Sequence, residues 1–287
     1  MKDNLPPPAP LHSVAGLCTR EVWAYPCWLR PLYLPFGCVL AGLRLLSMVM
    51  VSLIAWPLPL AVRRIMYRGL LGIMGIRIRC THSSRQIALL TDGCVVAANH
   101  VSVIDPFAIL AMPGATLVAS SGYNRFIAFT AFLLLKCSGG QFWNGADKKA
   151  FSRNLHKLRT HPQGTALYTT PEATINNGRG LYRFRAGLLS RGLPVVPLAG
   201  RLILPFGLVA SPLHASGLAS FLRVLMMPWA ICEMTYLERL ERQEQQSGQA
   251  FADQVQARIA QHLGIAATLW TREDKHQYRQ LDKQVRP

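Results

Sequence analysis

The chain has 287 residues, 51% hydrophobic and only 16% charged, more apolar and less charged than an ordinary soluble protein, so part of it is expected to meet lipid. Its formal charge of +17, from 31 basic against 14 acidic residues, requires anionic partners. The basic residues border long apolar runs, and neither an aromatic RNA-binding sheet motif nor finger spacing is present, so a phospholipid surface or phosphorylated substrate is expected and nucleic acid is not.

The first element is a tail over residues 1–30, rich in Pro. Met1–Pro10 has no apolar run behind it, so no cleaved signal peptide is expected. Trp23, Tyr25 and Trp28 cluster just before the apolar region, where their rings suit a headgroup layer. Residues 31–62 form a segment expected to be embedded in the membrane. Pro31–Leu43 holds no charge, Arg44 interrupts, and Leu45–Val62 holds none for 18 residues. A helix over about Gly37–Trp56 is roughly 30 Å long at 1.5 Å per residue, enough to span, and Pro57 and Pro59 should end it. Arg44 near its middle costs roughly 2.5 to 3.5 kcal/mol on insertion scales, which a hairpin or in-plane helix avoids. Arg20 and Arg30 before it and Arg63, Arg64 and Arg68 after it suit both ends on one side. A spanning helix, a hairpin and a buried core helix all remain open.

From residue 63 to about 270, short β-branched runs alternate with longer helical stretches, the pattern of an α/β domain with a mostly parallel sheet covered by helices. Strands are expected at Cys94–Ala98, Thr116–Ser120, Gln141–Asn144, Thr165–Thr169, Val195–Ala199 and Ile231–Tyr236. Helices are expected at Pro106–Ala111, Phe126–Lys136, Asp147–Thr160 and Phe251–Leu263. The last places Phe251, Val255, Ile259 and Leu263 at a spacing of four, with Gly264 as its stop. A polar tail, 271–287, is helical or frayed. The seven cysteines are scattered and never spaced C-x-x-C, and read as reduced thiols.

The sharpest chemical feature is Asn99-His100-Val101-Ser102-Val103-Ile104-Asp105-Pro106, directly after an apolar strand. Strand ends are where α/β folds present reactive groups. A turn can fold Asp105 back onto the His100 ring, so that the carboxylate holds one ring nitrogen as N–H and leaves the other to accept a proton from a substrate hydroxyl. The alcohol then attacks a thioester carbonyl without a protein nucleophile, consistent with the lack of a G-x-S-x-G elbow. An isolated His-x4-Asp more often reads as a helix cap beside a loop histidine.

Here it is followed by Pro171-Glu172-Ala173-Thr174-Ile175-Asn176-Asn177-Gly178-Arg179, then Leu181-Tyr182-Arg183-Phe184-Arg185-Ala186-Gly187, then Pro194-Val195-Val196-Pro197-Leu198. Together these resemble the glycerolipid acyltransferase superfamily, whose His-x4-Asp box, Pro-Glu-Gly-Thr turn and apolar Val-Pro strand they match. The Thr-x-x-Asn-Gly turn and its basic continuation look like the branch of lysophosphatidylcholine acyltransferases and the ancient ubiquitous protein of lipid droplets. The likeness extends over residues 35–275.

The resemblance implies a membrane-associated O-acyltransferase with His100 and Asp105 catalytic. Its substrates would be an acyl-CoA or acyl carrier protein donor and a lysophospholipid acceptor, with no metal or further cofactor. Asn99, Glu172, Ala173 and Thr174 would shape the acceptor site, and Asn177 and Gly178 the adjoining turn. Arg183 and Arg185 would approach anionic headgroup or coenzyme A phosphates, or else form a solvated face. The active site would face the cytoplasm, at the inner membrane of a bacterium or the endoplasmic reticulum or lipid droplet of a eukaryote. Several positions depart from the family. Ala173 replaces its Gly, Thr170 its preceding Phe, and Ile175 the Arg of phosphatidate-forming members. Gly139-Gly140-Gln141-Phe142-Trp143-Asn144 only approximates the second motif, whose basic role would pass to Lys148, Lys149 or Arg153. Such departures leave a second reading, a scaffold that keeps the fold with weak or no turnover.

Overall fold

The computed structural model describes residues 13–19, 29–119, 125–144, 147–160, 164–205 and 208–285. Trp23, Tyr25 and Trp28, read above as headgroup anchors, lie outside the described residues. After a 3-10 turn at Val14–Leu17 the chain forms α1 (Leu29–Ala55), α2 (Leu60–Ile73), β1 (Ile76–Cys80), α3 (Ser84–Thr91) and β2 (Val95–Ala98). Next come α4 (Asp105–Ile109), β3 (Ala115–Ala119), α5 (Arg125–Ser138), β4 (Gln141–Asn144), α6 (Lys148–Thr160), β5 (Ala166–Thr169) and β6 (Gly180–Leu181). The remainder is β7 (Val195–Ile203), α7 (Gly217–Met226), β8 (Ala230–Tyr236), α8 (Gly248–Leu263), β9 (Ala266–Ala267) and α9 (Arg272–Val285).

The main sheet has the order β1-β8-β7-β2-β5-β3-β4. Its pairs are parallel except β7 with β8, the helix-covered, mostly parallel sheet that the alternating periods predict. In β2, Val96 and Ala98 belong to one core and Val95 and Ala97 to the other, as the two-residue period of a strand requires. The first core is closed by α1, α2, α5 and α7, the second by α6 and α8. The basic helix α6 therefore lies across the sheet from α1.

Helix α1 begins eight residues before the expected Gly37. Pro31 falls in the first turn, where the missing N–H has no intrahelical partner to lose, and Pro35 is taken inside the helix. Tyr33–Ala55 is long and apolar enough to cross a membrane, with mean hydropathy 2.2. It does not stand away from the domain, however. Gly37, Ala41, Arg44, Met48, Ser52 and Ala55 form a buried stripe at spacings of three or four, and α1 packs on α2, α5 and α7. Its other side is bare: Phe36, Val39, Leu43, Leu46, Met50 and Leu53 are exposed, continuous in kind with Ile65 of α2 and Phe129 and Phe132 of α5. Contiguous apolar surface of this extent marks an interaction face.

The structure also accounts for Arg44, which is 4% exposed and points into the protein. Its guanidinium donates to Ile73 O at 3.0 Å, Leu225 O at 2.8 Å, Pro228 O at 3.1 Å and also Met227 O. These are the orphan carbonyls at the C-terminal ends of α2 and α7, where a cation is favoured by the helix dipole.

Candidate active site

Parallel pairing of β2 with β5 and β7 brings the loops leaving these strands to one edge of the sheet, so three segments far apart in sequence meet around His100. The local part is the dyad. Asp105 opens α4, which its neighbour Pro106 helps to start, and its Oδ2 accepts from His100 Nδ1 at 2.8 Å, Val101 N at 2.9 Å and Ser102 N at 3.2 Å. One carboxylate oxygen thus fixes the imidazole and the loop that carries it. With Nδ1 donating, Nε2 is left as the acceptor, a tautomer inferred from this hydrogen bond. His100 keeps 22% of its side chain exposed and Asp105 13%. From the far side, Tyr67 of α2 donates to Phe107 O at 2.8 Å, tying α4 to the apolar helices.

The second segment grips the His100 backbone on both sides. Glu172 Oε1 accepts from His100 N at 2.7 Å, and Asn176 N donates to His100 O at 2.8 Å. Asn176 Nδ2 also donates to both Glu172 oxygens, and Tyr182 N to Glu172 Oε2 at 2.9 Å. Glu172, expected to shape the acceptor site, is completely buried, because β5 and β2 are neighbours and its turn folds beneath the His100 loop. It acts on the site through the imidazole's mount.

Burial pushes the Glu172 carboxyl from an ordinary 4.5 up to about 7, against the lowering effect of hydrogen bonds from His100, Asn176 and Tyr182. An acid with a higher pKa in the folded state holds its proton more tightly there. Its contribution to stability is thus fully present below about pH 4.5 and is lost as pH rises through about 7. Wild type should therefore lose thermal stability across that window relative to Glu172→Gln, which carries no titrating group. Melting temperatures of the two proteins across the window check this, and parallel curves would contradict it.

Ala173 has φ of +54°, and among the described residues it is the one non-glycine in the left-handed region. The family's Gly at this turn thus has a backbone reason, and the methyl group of Ala173 holds a conformation that costs an L-residue roughly 1 to 2 kcal/mol. Ala173→Gly should raise stability by about 1 kcal/mol after allowing for the greater freedom of Gly in the unfolded chain. Chemical denaturation measures it, and a destabilised variant would show that the Ala173 methyl makes compensating contacts.

The other expected site residues are distributed unevenly. Asn99 exchanges two hydrogen bonds with the Gly200 backbone, Nδ2 to O at 2.9 Å and N to Oδ1 at 2.7 Å, so its amide joins β2 to β7. Asn177 donates to Gly16 O at 2.9 Å, while Gly178, at φ +79°, closes the turn by donating to Asn176 Oδ1 at 2.8 Å. Thr174 is half-buried in the same turn. Arg183 and Arg185 are not brought to His100 by any contact. Arg183 pairs with Asp253 of α8 through two bonds at 3.0 and 2.8 Å, and Arg185 pairs with Glu273 of α9. Each guanidinium thus already holds a carboxylate, and hydrogen bonding to Arg183 lowers the Asp253 pKa. The approximate second motif forms β4 at the sheet edge.

A cavity of about 270 Å³ opens beside the dyad. Asn99 and Val101, which flank His100, contribute to its wall, as do Asn177, Arg201, Leu208 and Ser211. Sequence reasoning passed over Arg201 and Asn176. The only signal was a single charge interrupting the apolar run of β7, and a second Asn in an already recognised turn. No group of three or more His, Cys, Asp or Glu side chains able to hold a metal ion occurs among the described residues.

A His–Asp dyad at the exit of a central parallel strand, with a glutamate turn mounted beneath it, leaves one ring nitrogen able to accept a proton from a substrate, and comparison with known proteins shows similarity to acyltransferases. Residues 76–201 match the Acyltransferase family model. The chain is 27% identical over 250 residues to the lipid droplet-regulating VLDL assembly factor AUP1 of Danio rerio, covering 86% of this chain and 57% of that protein. It is 26% identical over 183 residues to glycerol-3-phosphate acyltransferase 4 of Bos taurus, covering 62% and 40%. The chain therefore spans about half the length of these curated relatives. The crystal structure of the 1-acyl-sn-glycerophosphate acyltransferase PlsC from Thermotoga maritima superposes with a TM-score of 0.55 at 13% identity, over 82% of this chain and 97% of that one, a likeness of fold.

Proposed function

We propose that the chain is a membrane-associated O-acyltransferase that moves a fatty-acyl group from an acyl thioester, acyl-CoA or an acyl carrier protein, to the hydroxyl of a lysophospholipid. The observation that carries this reading is the 2.8 Å contact between His100 Nδ1 and Asp105 Oδ2. It leaves Nε2 of a partly exposed imidazole to take the acceptor's hydroxyl proton as the alkoxide oxygen bonds to the thioester carbon. The tetrahedral intermediate then collapses, the C–S bond breaks, and the thiolate recovers the proton from His100. Oxygen ester and free thiol form in equal amounts. In the same reading, the bare apolar side of α1, α2 and α5 rests in one leaflet with α1 and α2 as a hairpin, because the opposite side of α1 is packed on the domain along its length. The site then faces the cytoplasm, where thioester donors are made.

A second reading is favoured by one finding. Relatives matched over 86% and 89% of this chain are named for lipid-droplet regulation and assembly, which fits a scaffold that retains the fold. Thiol release by the purified chain in detergent separates the two. An enzyme releases thiol from acyl-CoA at a rate that depends on added lysolipid, whereas a scaffold gives none.

A further inference from the structure

Arg183 and Arg185, expected to approach a substrate anion, each hold a carboxylate within the protein. One basic residue remains at the cavity beside the dyad. Arg201 is exposed near the end of β7 and stands in its wall. Its partner in register across β7 and β8 is Glu233, but Glu233 forms its ion pair with Arg79 at 3.5 Å. No salt bridge among the described residues engages Arg201. Its Nη2 donates to Leu263 O, the last residue of α8, which holds the guanidinium in place and leaves the rest of its five donors unused by that bond. In the same wall, Ser211 Oγ is buried with no hydrogen-bond partner in the protein. A guanidinium held by one bond and outside any described salt bridge, in the wall of a cavity that also carries an unsatisfied hydroxyl and apolar side chains such as Leu202, Leu204 and Leu208, suits a phosphate ester joined to an apolar or flexible body.

We propose that Arg201 is the anion anchor of the substrate site, binding a substrate phosphate in the cavity next to His100. This rests on the acyltransferase reading, since both substrates of that reading carry phosphate. The phosphate belongs either to the lysolipid acceptor or to coenzyme A.

Binding can be read without turnover, by calorimetric titration of the purified full chain in non-ionic detergent. Two ligand pairs differ in phosphate: lysophosphatidic acid against the monoacylglycerol of the same chain, and coenzyme A against pantetheine. Wild type should prefer the phosphate-bearing member of one pair, which identifies the source. Arg201→Gln should weaken that ligand about 10- to 100-fold, the worth of hydrogen bonds to a charged group, while leaving its phosphate-free counterpart unchanged. Arg201→Lys should recover part of the loss, and Arg183→Gln should show none. Unchanged phosphate binding in a folded Arg201→Gln chain, an equal loss for both members of a pair, or transfer of the effect to Arg183→Gln would each overturn the assignment. So would a wild type that prefers neither phosphate. Should Arg201→Gln not fold, Arg201→Lys decides alone, several-fold weakening supporting the anchor and none overturning it. A chain that binds phosphate through Arg201 yet transfers no acyl group would keep the anchor and remove the enzyme.

Discussion

His100→Ala should reduce acyl transfer by about 10²- to 10⁴-fold, the usual worth of a positioned general base, with no loss of fold or membrane binding. The imidazole sits at an exposed strand exit and its ring touches Asp105 without entering either core. The His100 backbone bonds to Glu172 and Asn176 survive the substitution. Asp105→Asn should lose less than His100→Ala but still a great deal. An amide in the place of Oδ2 can present its NH₂ to the ring and select the wrong tautomer, and it meets the Val101 and Ser102 N–H groups with a donor. Steady-state rates of the three proteins, each shown to melt like wild type, provide the comparison. Wild-type turnover in a folded His100→Ala chain would eliminate the mechanism.

Arg44→Leu should destabilise the folded domain by about 3 kcal/mol or more, because four carbonyls at the ends of two helices lose their donor, and a buried unsatisfied group costs about 1 to 3 kcal/mol. The sign is informative. Were Arg44 turned toward lipid, the same replacement would favour membrane insertion by roughly 2.5 to 3.5 kcal/mol and stabilise the embedded protein. Thermal denaturation in detergent distinguishes the two, and an equal or more stable Arg44→Leu chain would mean that α1 leaves the domain to span the bilayer.

Arg44 also shows where sequence reasoning reaches its limit. Its apolar surroundings along the chain made it look like an insertion problem, whereas its acceptors lie 29 to 184 residues away. The dyad was legible because its two side chains are five residues apart at the end of an unbroken apolar strand, so local geometry sufficed. The strands β2, β5 and β7 were legible for the same reason, as bounded β-branched runs. By contrast β1 alternates Ile76 and Ile78 with Arg77 and Arg79, and a strand with so charged a face does not stand out. The short helix α3 carried one local signal, its Ser83–Gln86 capping box, which the sequence reading passed over. Glu172 was singled out by its motif, but its complete burial depends on which strand lies beside β5, and pairing order is not written in any local pattern. The same holds for Arg183 and Arg185, whose partners are 70 and 88 residues downstream; charge and motif position brought them to notice, and only the fold revealed what they hold.

The central claim, that the His100–Asp105 pair makes this chain a transferase, is tested most directly by incubating the purified protein in detergent with acyl-labelled acyl-CoA and a panel of lysolipids, and separating the lipid products. The account predicts label in the diacyl product of at least one acceptor, matched by thiol released, and none above background with His100→Ala. Absence of labelled product across the whole panel with folded wild-type protein, or equal product from His100→Ala, would contradict it.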